Sequence, residues 1–571
     1  MASTEIIQDN DVSNDDIFEF NKMSLEPEND NGNTEYKLRL TDLDEDKLNK
    51  RATQMKWRVN EGFGEAFYYI GVCDDGTIQG INEEQYKESC INLEKIAGKI
   101  DCNLIKLTER VQGKAYIGEF LIREKETISN NINLQIGVVG NVDAGKSTTI
   151  GTLTKGVLDD GRGRARLAVF NHKHEIQTGR TSSIGHQIMG FDLNGQVVSA
   201  GRNTTWTDIV NSSSKVVTFF DMAGHEKYLK TTIYGLTSMF PDYVLCMVGA
   251  NMGINHMTKE HMSLCLTLRI PFVIIVSKID IVPANVLEET IGKINDVIRK
   301  GAKKIPFSIR NMDDVISAAK NMRSDTIIPI IQISNLSGLN LDLLKALLNV
   351  LPVRNDYAEF INKEVELLVD STYSVTGHPT IIAGMLRSGI VNVGDTVALG
   401  PYSHDGSYKQ CKVKSIHNKY KDVKSVKAGS YVSISLKNVT RGEIKKGMVV
   451  VSDIQEKKIA VREFIAFLNI LHSPTTIKKG YQPFIHCDQV RQSVQIVSIT
   501  KINKKKVDEN DDSTSTSTES VEQADNCLRT GDKAHCRLRF IMRPEYIKKD
   551  MRIIFREGKV KAFGKVLSVS C

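Results

Sequence analysis

The sequence predicts a multidomain α/β chain: a small N-terminal α/β module, a doubly wound and mostly parallel sheet domain, then two consecutive β-barrels. Three observations predict it. Short, nearly continuous apolar runs recur between residues 132 and 356, each followed by helix-like sequence, as a parallel sheet covered on both faces requires. Beyond residue 364 helical periodicity gives way to short strand-like runs punctuated by Gly. At 571 residues, 41% hydrophobic and 25% charged, the chain has the composition of globular domains and far exceeds what one core can serve.

Taken in order, residues 1–34 are polar and acidic and cannot bury enough apolar area to offset the entropy of ordering, so they are expected to be disordered. Residues 35–125 form the α/β module: "EAFYYIGVCDDGTIQGI" gives two β-rich runs joined by Asp75-Gly76, a hairpin signal, and "EEQYKESCINLEKIAGKI" is helical. No chemistry is legible there. In the sheet domain, 132–356, the runs "LQIGVVG", "VVTFF", "YVLCMVG", "PFVIIVS" and "IIPIIQIS" are the strands, with ligands expected at their carboxyl ends. The barrels are expected at 364–453 and 458–571, the second carrying a low-complexity, floppy insertion at about 504–526.

No apolar stretch approaches the roughly 18 residues that span a bilayer, and the start "MASTEIIQDNDVSNDD" is acidic where a secretion signal is basic and then apolar. A cytoplasmic protein with no membrane partner is expected. Ten cysteines without a C-x-x-C pair indicate neither a disulfide framework nor a zinc ribbon. The net charge of +6 hides an asymmetry, because residues 1–34 carry nine acids and one Lys. The basic remainder suits a polyanion such as RNA, and equally an ordinary solvated lysine surface.

"GNVDAGKS" follows a strand and opens a helix, the setting in which G-x-x-x-x-G-K-[ST] cradles phosphate. Gly140, Asn141, Val142, Asp143, Ala144 and Gly145 would turn backbone N–H groups onto phosphate oxygens, Lys146 would neutralise the β and γ phosphates, and the Ser147 hydroxyl would ligate Mg²⁺. Alone, such a turn can also be purely structural. "VVTFFDMAGHEKY" then brings Asp221 to the metal and Gly224 to the γ phosphate at the end of the next apolar strand. In "FVIIVSKID", Asp280 can accept both guanine N–H groups while the stem of Lys278 covers the base. An adenine would leave that buried carboxylate facing an acceptor, so GTP and GDP are expected over ATP. "ISNLSG" fits the guanine-side loop through Ser334, Asn335 and Leu336.

These words resemble the translational GTPases, the group of elongation factor Tu and elongation factor 1-alpha. The run "VGNVDAGKSTTIGTLTKGVLDDGRGRARLAVFNHKHEIQTGRTSSIG" with "DMAGHEKYLKTTIYG" is similar to the GTP-binding protein 1 and 2 family, a branch of that group. The resemblance implies a P-loop GTPase domain followed by elongation-factor-like domains 2 and 3. It implies that His225 positions the attacking water and that Asp143 lies beside the phosphates, where it can help bind a monovalent cation. It aligns Ser183 with the threonine that closes the Mg²⁺ shell, with Thr181 as the alternative, and it puts Ser182 where an apolar gate against Val142 would sit. Ser277 replaces the usual Asn of N-K-x-D and is expected to lose that amide's contacts with the phosphate loop. Arg162, Arg164, Arg166 and Arg180 read as ribosome or RNA contacts, or equally as a solvated basic loop. The implied activity is GTP hydrolysis in a switch that carries aminoacyl-tRNA or another RNA, tRNA or mRNA, to the ribosome. The alternative is a GTP-gated adaptor that reaches surveillance or RNA-decay proteins through residues 35–125.

Overall fold

The computed structural model describes residues 25 to 570 except 26, 30–31, 126–130, 171–174, 177–180, 199–203, 323–324, 356, 375–378, 403–404, 420, 453–459, 504–519, 522–526 and 558–559. The insertion about 504–526 and Arg180 thus fall almost wholly outside the described residues, as does most of the acidic N-terminal stretch.

The module runs β1 (Thr34–Lys37), α1 (Glu45–Glu61), β2 (Glu65–Ile70), α2 (Glu83–Lys99), β3 (Cys102–Gln112) and β4 (Ala115–Glu124), in a sheet ordered β1-β2-β4-β3. Side chains of Asp44 and Asn82 accept from the N–H groups of Lys47 and Gln85 and so start α1 and α2. The Asp75-Gly76 turn forms, Thr77 N–H donating to Asp75 Oδ1 at 2.8 Å, but the second β-rich run makes only isolated bridges, Val72 to Ile78 and Ile81 to Tyr116. The expected disorder of residues 1–34 fails at its end: Leu25 and Glu28 N–H donate to the carbonyls of Gly76 and Asp74, and Arg58 pairs with Glu28. A carboxylate within reach of a buried guanidinium gives this polar segment an anchor that its composition does not reveal.

One face of the module sheet packs on α1 and α2 through Ala66, Tyr68, Ile70, Phe120 and Ile122. The other, with Tyr36, Phe67, Tyr69, Ile117 and Leu121, runs into the same core as the next domain. Glu65, fully buried on β2, accepts from Arg123 Nε of β4 and from Lys215 Nζ of that next domain, both at 2.7 Å. Burial opposes ionisation of Glu65, but the flanking Lys215 and Arg123 charges override it and hold its carboxyl below the usual range.

The second domain runs β5 (Ile132–Gly140), α3 (Lys146–Lys155), α4 (Arg164–Leu167), β6 (Gly185–Phe191), β7 (Val197–Val198), α5 (Trp206–Ser212), β8 (Lys215–Asp221), α6 (Leu229–Ser238), β9 (Tyr243–Gly249), α7 (His256–Leu268), β10 (Phe272–Ser277), α8 (Ala284–Asp296), β11 (Ile305–Ser308), α9 (Met312–Asn321), β12 (Ile327–Gln332) and α10 (Leu341–Val350). Its sheet is ordered β11-β12-β10-β9-β5-β8-β6-β7, parallel except for β6, which runs antiparallel to both its neighbours β8 and β7. Every residue of β9 and β10 is buried, so their unbroken apolar sequence follows from helices on both faces. The carbonyls of Asn349, in the last turn of α10, and of Leu351, which caps it, accept from Lys215 Nζ at 2.7 Å, so the buried cations sit at the negative end of a helix.

Two six-stranded antiparallel barrels follow. In the first, strands Thr396–Gly400 and Lys409–Asn418 close the ring; in the second, Phe484–Cys487 and Val490–Asn503 do so. Leu368, Val449 and Val451 of the first barrel share a core with the second. The second barrel meets the GTPase-like domain where Thr237 of α6 donates to the Asp488 carbonyl at 2.8 Å and Glu260 of α7 pairs with Arg556 and Lys561.

Candidate nucleotide site

The site lies where β5, β8, β10 and β12 end, as the strand pattern requires. β5 leads into a loop whose backbone only glycine fits at Gly140: φ is +146° and a Cβ would meet the Met247 carbonyl oxygen at 2.4 Å. Gly145 has φ +81° and precedes α3, whose free N–H groups point at the recess. The recess is lined by Val142, Asp143, Gly145, Lys146, Ser147, Thr148, Arg166, Thr181, Gly224 and His225.

Lys146 is buried, and desolvation pushes its amine below the ordinary range while its Nζ donates to Asn141 O at 2.7 Å. Gly224 leaves it room, since a Cβ there would stand 2.3 Å from that Nζ. At the end of β8, Asp221 Oδ2 accepts from Ser147 Oγ at 2.6 Å and from Thr181 Oγ1 at 3.3 Å, and the two hydroxyls are 3.0 Å apart. Burial pushes the Asp221 carboxyl up to about 6, against the pull of the Ser147 hydrogen bond and the Lys146 charge. Its Oδ1 is buried with no partner among the described residues. An orphaned carboxylate oxygen beside two hydroxyls suits a hard cation that keeps part of its water, and so the residues fit Mg²⁺. Among the described residues no cluster of three His, Cys, Asp or Glu competes for a metal.

Of the two switch candidates, Thr181 therefore reaches the Ser147–Asp221 pair and Ser183 does not. Ser182 and Ser183 instead donate both their N–H and their hydroxyl to Glu175 Oε1, at 2.8 to 3.2 Å. The hydroxyl of Ser182 is thus turned to Glu175 rather than toward Val142. Glu175, buried, had no signal in the sequence, because a carboxylate in a polar stretch reads as solvated.

His225 is half buried beside Gly224 and Thr181. Its Nδ1 accepts from Lys227 N–H at 3.1 Å, so it caps the turn that follows and still faces the recess. A neutral ring with Nδ1 as acceptor carries its proton on Nε2.

On the base side, Ser277 is buried and its hydroxyl donates to the Ala144 carbonyl at 2.8 Å. A tie to the phosphate loop thus survives the loss of the usual amide. Lys278 adopts φ +61°, and Asp280 follows on a short turn, exposed rather than buried; the base itself would cover it. Ser334 Oγ accepts from the N–H groups of Leu336 and Ser337, and Asn335 Nδ2 donates to Thr149 Oγ1 at 2.9 Å, fastening this loop to α3. Leu336 is exposed.

The chain matches the family model of the elongation factor Tu GTP binding domain over residues 131–353 and that of elongation factor Tu domain 2 over residues 380–451. It is 42% identical over 518 residues to GTP-binding protein 1 of Xenopus laevis, covering 90% of this chain and 75% of that one. It is 39% identical over 555 residues to GTP-binding protein 2 of Homo sapiens, covering 95% and 88%. Among solved structures its fold is similar to translation elongation factor SelB from Methanococcus maripaludis in complex with the GTP analogue GppNHp. That likeness has a TM-score of 0.54 and 17% identity, over 77% of this chain and 80% of that one.

Proposed function

The chain belongs to the GTP-binding protein 1 and 2 family of translational GTPases, and from that premise we propose that it carries aminoacyl-tRNA or another RNA to the ribosome under GTP control. Membership makes it a GTP-binding enzyme of translation that hydrolyses GTP to GDP and phosphate. The observation that carries the finer reading is the bond from α6, which directly follows the Asp221–Tyr228 loop, to the second barrel: Thr237 to Asp488 O. A change at the γ phosphate has a short mechanical route to the barrels.

In this reading the loop amides and Lys146 hold the phosphates, and Asp280 with Lys278 selects guanine. Ser147 and Thr181 would hold Mg²⁺, with Asp221 orienting its water; when bound, the ion screens phosphate charge. His225 holds the attacking water through Nε2–H, a positioning role that its tautomer supports. His225→Ala is expected to keep GTP binding and lower turnover about 100-fold or more, whereas Lys146→Ala loses both; normal turnover in the His225 variant would move the assignment elsewhere.

The proposal puts the protein in the cytoplasm with the ribosome. Among the described residues no helix is long and apolar enough to cross a membrane. RNA affinity measured with GTP and then with GDP tests the carrier role: tighter binding with GTP is expected, and equal affinities would defeat it.

Exposed Trp57 on α1 and Ile91 on α2 favour a second reading, an adaptor that recruits surveillance or RNA-decay proteins through the module. Trp57→Ala with Ile91→Asp should then cost protein partners and spare GTP-dependent RNA binding; unchanged partners would end that reading.

A further inference from the structure

The segment between α3 and the first switch is fastened at three points. Asp159 N–H donates to the Asn335 carbonyl of the guanine-side loop at 3.0 Å, and Asp159 Oδ1 accepts from Ala165 N–H at the same distance. Asp160 Oδ1 accepts from the N–H groups of Arg162 and Arg164. The Ala165 carbonyl lies so close to α3 that a Cβ at Gly151 would meet it at 2.1 Å, and Ala165 and Val169 are buried there. This geometry sets Arg166 on the rim of the phosphate recess, beside Lys146, Thr181 and His225. Its guanidinium lies over Gly163, where φ is +90° and a Cβ would stand 2.4 Å from Nε, so the missing side chain opens its path. It has no ion-pair partner among the described residues, while its neighbours Arg162 and Arg164 are exposed and off the recess.

We infer that Arg166 is a catalytic arginine supplied in cis, donating to the γ-phosphate and to the oxygen bridging it to the β-phosphate as charge moves onto them. In that step the oxygen of water bonds to the γ-phosphorus, the bond to the bridging oxygen breaks with its electron pair leaving on GDP, and the water's proton departs with inorganic phosphate. A guanidinium carried on a fastened backbone segment is suited to this because its planar fork of donors matches phosphate oxygens. The two elements that hold it, α3 and the guanine loop, are those that hold the nucleotide. The inference rests on the nucleotide reading of the recess.

Full-length protein carrying Arg166→Ala, Arg166→Lys or the control Arg164→Ala tests it, through single-turnover GTP hydrolysis, GDP affinity by fluorescent analogue, and capture of GDP with aluminium fluoride. Arg166→Ala is expected to lower turnover about 10³-fold or more, keep GDP affinity and lose the aluminium fluoride complex. Arg166→Lys should not restore that complex, and Arg164→Ala should match wild type in all three. Wild-type turnover by Arg166→Ala, or GDP affinity falling in step with turnover, would overturn the inference. Failure of the wild-type protein to bind GDP would instead remove the nucleotide reading beneath it.

Discussion

The GTPase domain is held by two kinds of joint. Toward the N-terminal module the joint is a shared apolar core with three fully buried charges, Glu65, Arg123 and Lys215, whose donors are taken up by the Glu65 carboxylate, the carbonyls at the end of α10, the Asn349 side chain, the Asp192 carbonyl and the Ser214 hydroxyl. Toward the second barrel the apolar share is smaller, with Ile554 entering the GTPase core, and the polar contacts are the Thr237 hydroxyl of α6, Lys230 over the Phe484 ring, Arg552 on the Leu268 carbonyl, and buried Glu260 bridged to Arg556 and Lys561, the last of these 31% exposed. Charges buried without water are costly to separate, whereas pairs at a wet rim exchange readily. The module is therefore built as part of the GTPase domain, and in the proposed switch the second barrel is the part whose seating the nucleotide changes.

Breaking the first joint should give the largest effect. Glu65→Ala leaves two buried cations without their carboxylate and is expected to cost about 3–5 kcal/mol, read as a lower urea midpoint; a loss below about 1 kcal/mol would make this joint no firmer than the other.

Acid should act on the barrel side instead. His261 on α7 and His486 in the second barrel are buried, both ring nitrogens of His261 and Nδ1 of His486 have no partner among the described residues, and desolvation pushes both side chains down to about 3. Folded values below the unfolded 6.5 mean that their stabilising contribution is present above pH 6.5 and lost as pH falls toward 3. Going from pH 7 to 5 is expected to cost about 2 kcal/mol per histidine, seen as hydrogen exchange rising first around α7 and the second barrel. His486→Leu should flatten that dependence. The smallest effect is expected from Lys561→Ala at the rim, at most about 1 kcal/mol and vanishing in high salt.

The difference between the joints also explains what the sequence disclosed. The phosphate loop, Asp221 with Gly224, and Ser277 to Asp280 are legible because each is a local strand-to-turn word whose chemistry depends on neighbours in sequence. The Glu65–Arg123–Lys215 joint is not, since its members lie on three strands separated by 58 and 150 positions and each alone reads as a surface charge. Strand β6 is hidden in the sequence for a related reason: His186 and Gln187 interrupt the apolar run, and pairing with β8 is what makes the segment a strand. The switch ligand needed the fold, because Thr181 and Ser183 are separated only by what Glu175 binds.

Hydrogen exchange of the full-length protein with GDP and then with a non-hydrolysable GTP analogue bears most directly on the account. Protection is expected to change along α6 and at Phe484–Asp488 while Glu65–Ile70 stays constant. A change spread equally over Glu65–Ile70, or none at α6, would contradict a nucleotide switch that moves the barrels against a fixed module.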